Sequence, residues 1–412
     1  MTRPNDSEPG EELKSGIKLP HDKRVKLGCE RLLDSERQLV SGKQVGIVTN
    51  HSGVLPNGEH IVDALRACCD VGIRALFSPE HGIRGDAPAG RHVGHEIDPK
   101  TGIQVFSLYG EHNKPEASML EGIRTLVYDI QDVGARFYTY ISTLTLVMEA
   151  AAENGVELIL LDRPLVLSGG MIDGPVLEDD VKSFIGMLPL PILYSLTPGE
   201  LAGLIRKEYL GKLASDLDMK VLKLENYSRS MWYDETGLSW LPPSPNIPTI
   251  DTAVVYPGTA LVEGTNISEG RGTASPFRFI GAPFVDKMRL ADSLNSAGLP
   301  GVKFVPADFV PREISIVSHP RFKDTRCHGV EVVVADRNAI KPVELGVAVI
   351  CAIRDLNRGD LSFRADGAFD RLAGNRRIRK MVESGADYRE IASTWEMGLS
   401  RFQESRGEYF LY

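Results

Sequence analysis

The sequence predicts an α/β protein in two parts, a mainly parallel sheet domain over residues 39–195 and a smaller α+β auxiliary domain over 196–412. Three observations predict it. Five short apolar runs recur between about residues 43 and 165, and helical stretches separate several of them. Past Thr197 that alternation gives way to a different mixture of helix and strand. Apolar strands alternating with helices imply a parallel sheet covered on both faces.

Residues 1–38 open as MTRPNDSEPGEELKSGIKLPHDKR and read as a disordered leader, polar and dotted with proline. They hold no apolar segment of a secretory signal, so a cytoplasmic location is expected. No run approaches the ~18 consecutive apolar residues of a membrane span. The strands begin with QVGIVTN from Gln44, IRALFSP from Ile73 and IQVFSLY from Ile103, followed by RTLVYDI from Arg124 and ELILLD from Glu157. HIVDALRACC follows the first as a helix, with Ile61, Leu65 and Cys68 or Cys69 on one face. YISTLTLVMEAAAENG precedes the last.

In the second half, TPGELAGLIRKEYL has Thr197 as helix N-cap, Pro198 in the first helical position and Glu200 completing a capping box. MKVLKLEN reads as a strand of the auxiliary domain. The segment from Trp232 to Pro283 is rich in Pro and Gly with little periodicity, and reads as a long functional loop. VKFVPADFVP, EISIVSH and HGVEVVVAD read as strands, and PVELGVAVICAIRDLN as a helix.

The 412 residues suffice for two domains, and 42% hydrophobic with 25% charged residues is a globular balance. A net charge of -9 argues against a nucleic-acid or anionic-membrane partner, which would require a basic face. Five cysteines without a CxxC pair suggest a reducing compartment and structural thiols.

Each strand is followed by polar, titratable residues: Asn50-His51, Glu80-His81, Glu111-His112, Asp129 with Asp132, and Asp162-Arg163. Open α/β sheets bind ligands outside the carboxyl ends of their strands, so this recurrence marks a cleft. No GxGxxG follows the first strand and no GxxxxGK[ST] occurs, which excludes a dinucleotide or P-loop fingerprint. His51, His81, His92, His95 and His112 lack the spacing of a preformed zinc site, and neither metal nor cofactor is expected. Glu80, in the turn Ser78-Pro79-Glu80-His81-Gly82, would aim one carboxyl inward. Asp132, ahead of GARFYTY, suits a helix N-cap as well as a cleft role. In NISEGRGTASPF and just before it, Glu263, Asn266, Glu269 and Arg271 sit among glycines, as in a binding loop. Arg271 is suited to an anionic substrate group, because a guanidinium holds a carboxylate bidentately.

VGIVTNHSGV, LFSPEHGIRGDAPAG, YDIQDVGARFYTYISTL, SFIGMLPLPILYSLTPGELA, the long MWYDETGLSWLPPSPNIPTI…SEGRGTASPF segment and the tail FQESRGEYFLY closely resemble the exo-acting β-N-acetylmuramidases. The resemblance runs from about residue 40 to the C-terminus. It implies a Rossmann-like domain, an auxiliary domain and a cleft between them. It also implies removal of N-acetylmuramic acid (MurNAc) from the non-reducing end of peptidoglycan fragments such as MurNAc-GlcNAc. By the same resemblance Glu80 is the foremost catalytic candidate, with Glu263 and Glu269 next. The strand-end position of Glu80 beside Phe77, where desolvation would raise its pKa, makes it the expected general acid. Asn50, His51, His81, Asp129, Asp132, Asn266 and Arg271 would line the pocket. Arg84, Arg91 and Arg136 are alternatives for holding the lactyl carboxylate. Two other readings stand beside this one: a non-catalytic muropeptide- or sugar-binding protein, and a metal-dependent amide or ester hydrolase.

Overall fold

The computed structural model describes residues 24–80, 82–85, 96–314, 317 and 319–412. Seven strands make the larger sheet: β1 (Gln44–Thr49), β2 (Gly72–Ser78), β3 (Glu96–Ile97), β4 (Gln104–Ser107), β5 (Thr125–Asp129), β6 (Glu157–Leu161) and β7 (Met219–Leu222). Their order is β3-β4-β2-β1-β5-β6-β7. Neighbours run parallel except β3, which pairs antiparallel with β4 at the edge. The five expected strands are β1, β2, β4, β5 and β6. From β1 the chain winds outward through β2 and β4, then returns to place β5 on the other side of β1. The sheet therefore switches winding direction between β1 and β5, where a crevice opens at the carboxyl ends.

Two expected boundaries are corrected. Residues 24–38 are not a disordered leader: helix α1 (Gly28–Asp34) buries Cys29 and Leu32. A Cβ on Gly28 would lie 2.5 Å from the backbone nitrogen of Asp162, so α1 sits directly on the end of β6. The short Val25-x-Leu27-x-Cys29 apolar spacing is what buries it, and the polar stretch before it masks that signal. The sheet also does not end before residue 196, because β7 pairs with β6 from Leu158 to Leu161 and covers an edge that would otherwise be open.

Helix α2 (Ile61–Ala67) stops one residue before the two cysteines; Cys68 is half-buried and Cys69 exposed, whereas Cys29, Cys327 and Cys351 are buried. Helix α3 (Tyr140–Asn154) ends at Gly155, whose φ of 61° makes the left-handed cap. Helix α4 (Pro198–Leu204) starts as the sequence specifies, with Thr197 accepting from the Glu200 N–H and Glu200 reaching back to Thr197.

The segment from Trp232 to Pro283 is not structureless. It contains α5 (Ile250–Thr259), followed by a 3₁₀ turn over Ala260–Gly264 and by β8 (Phe279–Ala282). Pro257 and Gly258 lie inside α5 and disguise it. The glycine has a packing reason: a Cβ there would stand 1.6 Å from the Pro342 carbonyl oxygen, at the start of α7 (Pro342–Leu356). Gly346 of α7 is equally constrained, its Cβ position 2.1 Å from the Gly258 oxygen. The smaller sheet is antiparallel, in the order β8-β10-β9 with β9 (Val302–Phe309) and β10 (Cys327–Val334), and α6 (Lys287–Ser296) packs on it. The expected strand EISIVSH lies partly outside the described residues; Ile314 and Val317 pair with each other across a tight bridge.

The C-terminal residues return to the larger sheet. Tyr412 donates its hydroxyl to Asp162 at 2.6 Å and accepts from the Leu224 N–H at 2.8 Å. Burial pushes the Asp162 carboxyl up to about 6, opposed by bonds from Tyr412, Gly199 and Thr197. Tyr412→Phe removes one donor from that buried carboxyl and leaves the Leu224 N–H unpaired. The expected result is a loss of about 1–3 kcal/mol, read from the urea midpoint. Asp162 should also titrate higher in the variant, since a bond favouring its charged form is gone.

Candidate active site

Asn50, Glu80 and Asp129 stand just beyond or at the ends of β1, β2 and β5, all on the carboxyl edge of the sheet. Glu80 accepts from the Thr139 hydroxyl at 3.2 Å. Tyr109, two residues past β4, faces the same carboxylate. Burial and the Glu80 charge push its hydroxyl up to about 12. Tyr138 and Tyr140 meet edge-to-face at 4.7 Å at the head of α3, and Tyr140 also lies within the field of Glu80.

The second half brings the other charges. The turn after α5 carries Glu263, and Gly264 fits it tightly against Phe369, whose Cα would be 2.4 Å from a Cβ. Gly270 and Gly272, each with φ of 78°, bend the next loop so that Glu269 and Arg271 turn back towards Glu263. Arg271 Nη2 lies 2.5 Å from Glu263, its Nε 3.8 Å from Glu269, and its guanidinium over the Phe277 ring at 5.3 Å. Tyr256 of α5 joins the halves, its ring meeting Phe137 at 5.4 Å and Phe277 at 4.7 Å.

Three glutamates and one arginine thus share a single partly buried space. Burial raises the Glu263 carboxyl well above the ordinary glutamate range. Arg271 opposes that rise, while Glu269 and then Glu80 add to it by like-charge repulsion. The arrangement supplies one carboxyl, Glu263, whose hold on its proton is strengthened, within a cluster of three.

The remaining expected residues divide. Asp129 is fully buried and held side-on by Arg163, at 2.6 and 2.9 Å, so its charge is neutralised within the protein. Asp132 caps no helix. It accepts from the Gly134 N–H and the Tyr194 hydroxyl, and burial pushes it up to about 6. Asn50 is buried, with Oδ1 bound to Ser52, and its side chain acts on Tyr140. His51 donates from Nε2 to the Pro242 carbonyl at 2.9 Å.

Three expected pocket residues are engaged elsewhere. Arg84 is clamped between Asp63 at 3.1 Å and Asp98 at 2.8 Å. Arg136 is wholly buried, tying the carbonyls of Pro175, Leu190 and Leu372 together, and burial lowers it to about 9. Asn266 is pinned to Asp360 and Ser362 on the outer side of its loop. His81 and Arg91 lie outside the described residues.

Sequence reading missed Tyr109, Thr139, Tyr140 and Tyr256, aromatic and hydroxyl groups that wall the carboxylates. Tyr109 carried a usable signal, since it follows β4 on the same edge. It placed Arg163 at the same edge but missed its pairing with Asp129, because nothing local ties the two across 34 positions.

Comparison with known proteins gives one result throughout. The profile described as "Exo-beta-N-acetylmuramidase NamZ, N-terminal" matches residues 45–251, and its C-terminal counterpart matches 254–412. The chain is 44% identical over 389 residues to the peptidoglycan beta-N-acetylmuramidase NamZ of Bacillus subtilis (strain 168), covering 94% of this chain and 92% of that protein. Two crystal structures of DUF1343 family proteins from Bacteroides fragilis NCTC 9343 share the fold. One has a TM-score of 0.86 at 36% identity, covering 95% of this chain and 99% of its own. The other has a TM-score of 0.77 at 33% identity, covering 94% and 99%. Matched along both halves and to a relative 44% identical over nearly its whole length, this protein belongs to the exo-beta-N-acetylmuramidase NamZ family.

Proposed function

We propose that the protein is a glycosidase that releases MurNAc from the non-reducing end of peptidoglycan fragments such as MurNAc-GlcNAc. The observation that carries this reading is the convergence of Glu80, from the sheet edge, with Glu263 and Glu269 around Arg271. Glycoside hydrolysis uses one carboxyl group to protonate the leaving oxygen and a second to attack or to activate water. The sequence singles out Glu80 as the acid, and the raised Glu263 carboxyl favours Glu263 in that role. Glu263 is therefore assigned the proton donor and Glu80, from the opposite wall, the carboxylate that works with it. The direct test is to incubate the protein with MurNAc-GlcNAc and identify the products. Free MurNAc and GlcNAc are expected; an intact disaccharide would leave a sugar-binding protein instead.

Among the arginines expected to hold the lactyl carboxylate, Arg84 and Arg136 are tied to groups away from the three glutamates and Arg91 lies outside the described residues; Arg271 stands among those glutamates, and the role is assigned to it. Arg271→Gln should weaken muramic substrates relative to glucosamine analogues by about 1.5–3 kcal/mol, the cost of a charged hydrogen bond. Equal losses on both substrates would remove Arg271 from lactyl recognition.

The pH profile follows from the same charges. An acid must be protonated to act, so kcat/KM should fall as pH rises through the elevated Glu263 value. Arg271→Gln removes the charge that opposes the elevation, and the alkaline limb should move up. Glu269→Gln removes a neighbouring anion, and the limb should move down. A limb that stays in place in both variants would mean that another group supplies the proton.

A further inference from the structure

A second cavity of about 150 Å³ opens at the switch point between β1 and β5, and none of the three clustered glutamates lines it. Its walls are apolar: Leu55 on one side, Tyr233 and Trp240 on the other, the two rings edge-to-face at 5.3 Å. Ser52, Gln131 and Arg163 form the polar floor.

The orientation of the Gln131 amide is forced. Its Nε2 donates to two carbonyls, Asp132 at 3.0 Å and Pro164 at 2.8 Å, and only an NH₂ can do so. Oε1 is left buried without a donor, on a side chain 4% exposed. A buried acceptor with no partner is costly, and native proteins rarely leave one unmatched. Beside it, Arg163 uses Nε and Nη2 for Asp129 and the Val54 carbonyl, while Nη1 bonds to none of the described residues. The Ser52 hydroxyl is already committed, donating to Asn50 and accepting from the Gln131 N–H.

Among the polar lining residues the cavity thus has one unpaired acceptor, on Gln131, and one cationic donor, the Arg163 guanidinium, with apolar and aromatic side chains completing the wall. A carboxylate would set an oxygen against Gln131 Oε1. An ammonium would face the Arg163 guanidinium. A neutral secondary amide matches both, with its C=O towards Arg163, its N–H towards Gln131 and its methyl against Leu55. We infer that this cavity is a second ligand site, for the acetamido group of an N-acetylated amino sugar. The inference stands apart from the proposed hydrolysis, since binding here requires no turnover.

The test uses the full-length protein and the indole N–H resonances of its three tryptophans, of which only Trp240 lines the cavity. Acetamide and N-acetylglucosamine should each shift the Trp240 signal saturably. Glucosamine and acetate, which lack the amide, should not. An NOE from the acetyl methyl to the Trp240 ring should place the group in this cavity and not among the glutamates. Leu55→Phe should fill the space and weaken N-acetylglucosamine at Trp240 at least tenfold. The NOE on the unaltered protein decides the matter should that variant fold poorly. The inference is overturned by no NOE to Trp240, by equal shifts from glucosamine or acetate, or by unchanged affinity in a folded Leu55→Phe protein.

Discussion

Glu263→Gln is expected to lower turnover of MurNAc-GlcNAc by about 10²–10⁴-fold, the usual worth of a positioned general acid. The substitution keeps the shape and removes the proton. An aryl glycoside whose leaving group needs little protonation should suffer much less in the bond-breaking step. Glu80→Gln should behave differently: the loss should be of similar size but should persist with the activated substrate, because the group that assists attack is missing whatever leaves. The two variants measured on the two substrates therefore separate the roles. Should Glu80→Gln be the one rescued by the activated leaving group, the assignments exchange. If neither variant loses activity, the cluster is not catalytic.

Asp129→Ala is expected to produce the largest loss of stability, about 3–5 kcal/mol, because it leaves the Arg163 charge buried and uncompensated. Both side chains are almost inaccessible, at 0% and 4% exposure, so solvent cannot take over from the carboxylate. The denaturant midpoint of the folded protein checks this. A companion variant, Asp129→Leu with Arg163→Met, replaces the pair with apolar groups and should recover most of the loss. Recovery of stability together with turnover would fix Asp129 as a structural residue. Recovery of stability with turnover still lost would return it to the substrate pocket.

The strands were legible because their signal is local: a run such as VGIV or LILL is apolar on both faces whatever surrounds it. The start of α4 was legible for the same reason, since Thr197, Pro198 and Glu200 meet within one turn. Helix α5 was not. Pro257-Gly258 reads as a break, and the glycine is there for Gly346 and Pro342 of α7, which are about ninety positions away. Residues 24–38 and β7 were misassigned likewise, because each is defined by a partner, the end of β6 or its free edge, and not by its own composition.

The charged residues divide along the same line. That Asn50, Glu80 and Asp129 share one edge was determined by the sequence itself, because parallel βα alternation puts every strand's carboxyl end on one side. Which of those charges remains available was decided only by tertiary structure. Asp129, Arg84 and Arg136 have the right residue types and fall near the right edge, yet each is consumed by a partner that is distant in sequence. Glu263 and Glu269 come from the other half and reach Glu80 only when the halves pack. The elevation of the Glu263 carboxyl follows from that packing, through burial and through the neighbouring anions it brings close. A residue type sets what chemistry a side chain can do; desolvation and neighbouring charge, which depend on the whole chain's fold, set whether it is free and protonated to do it.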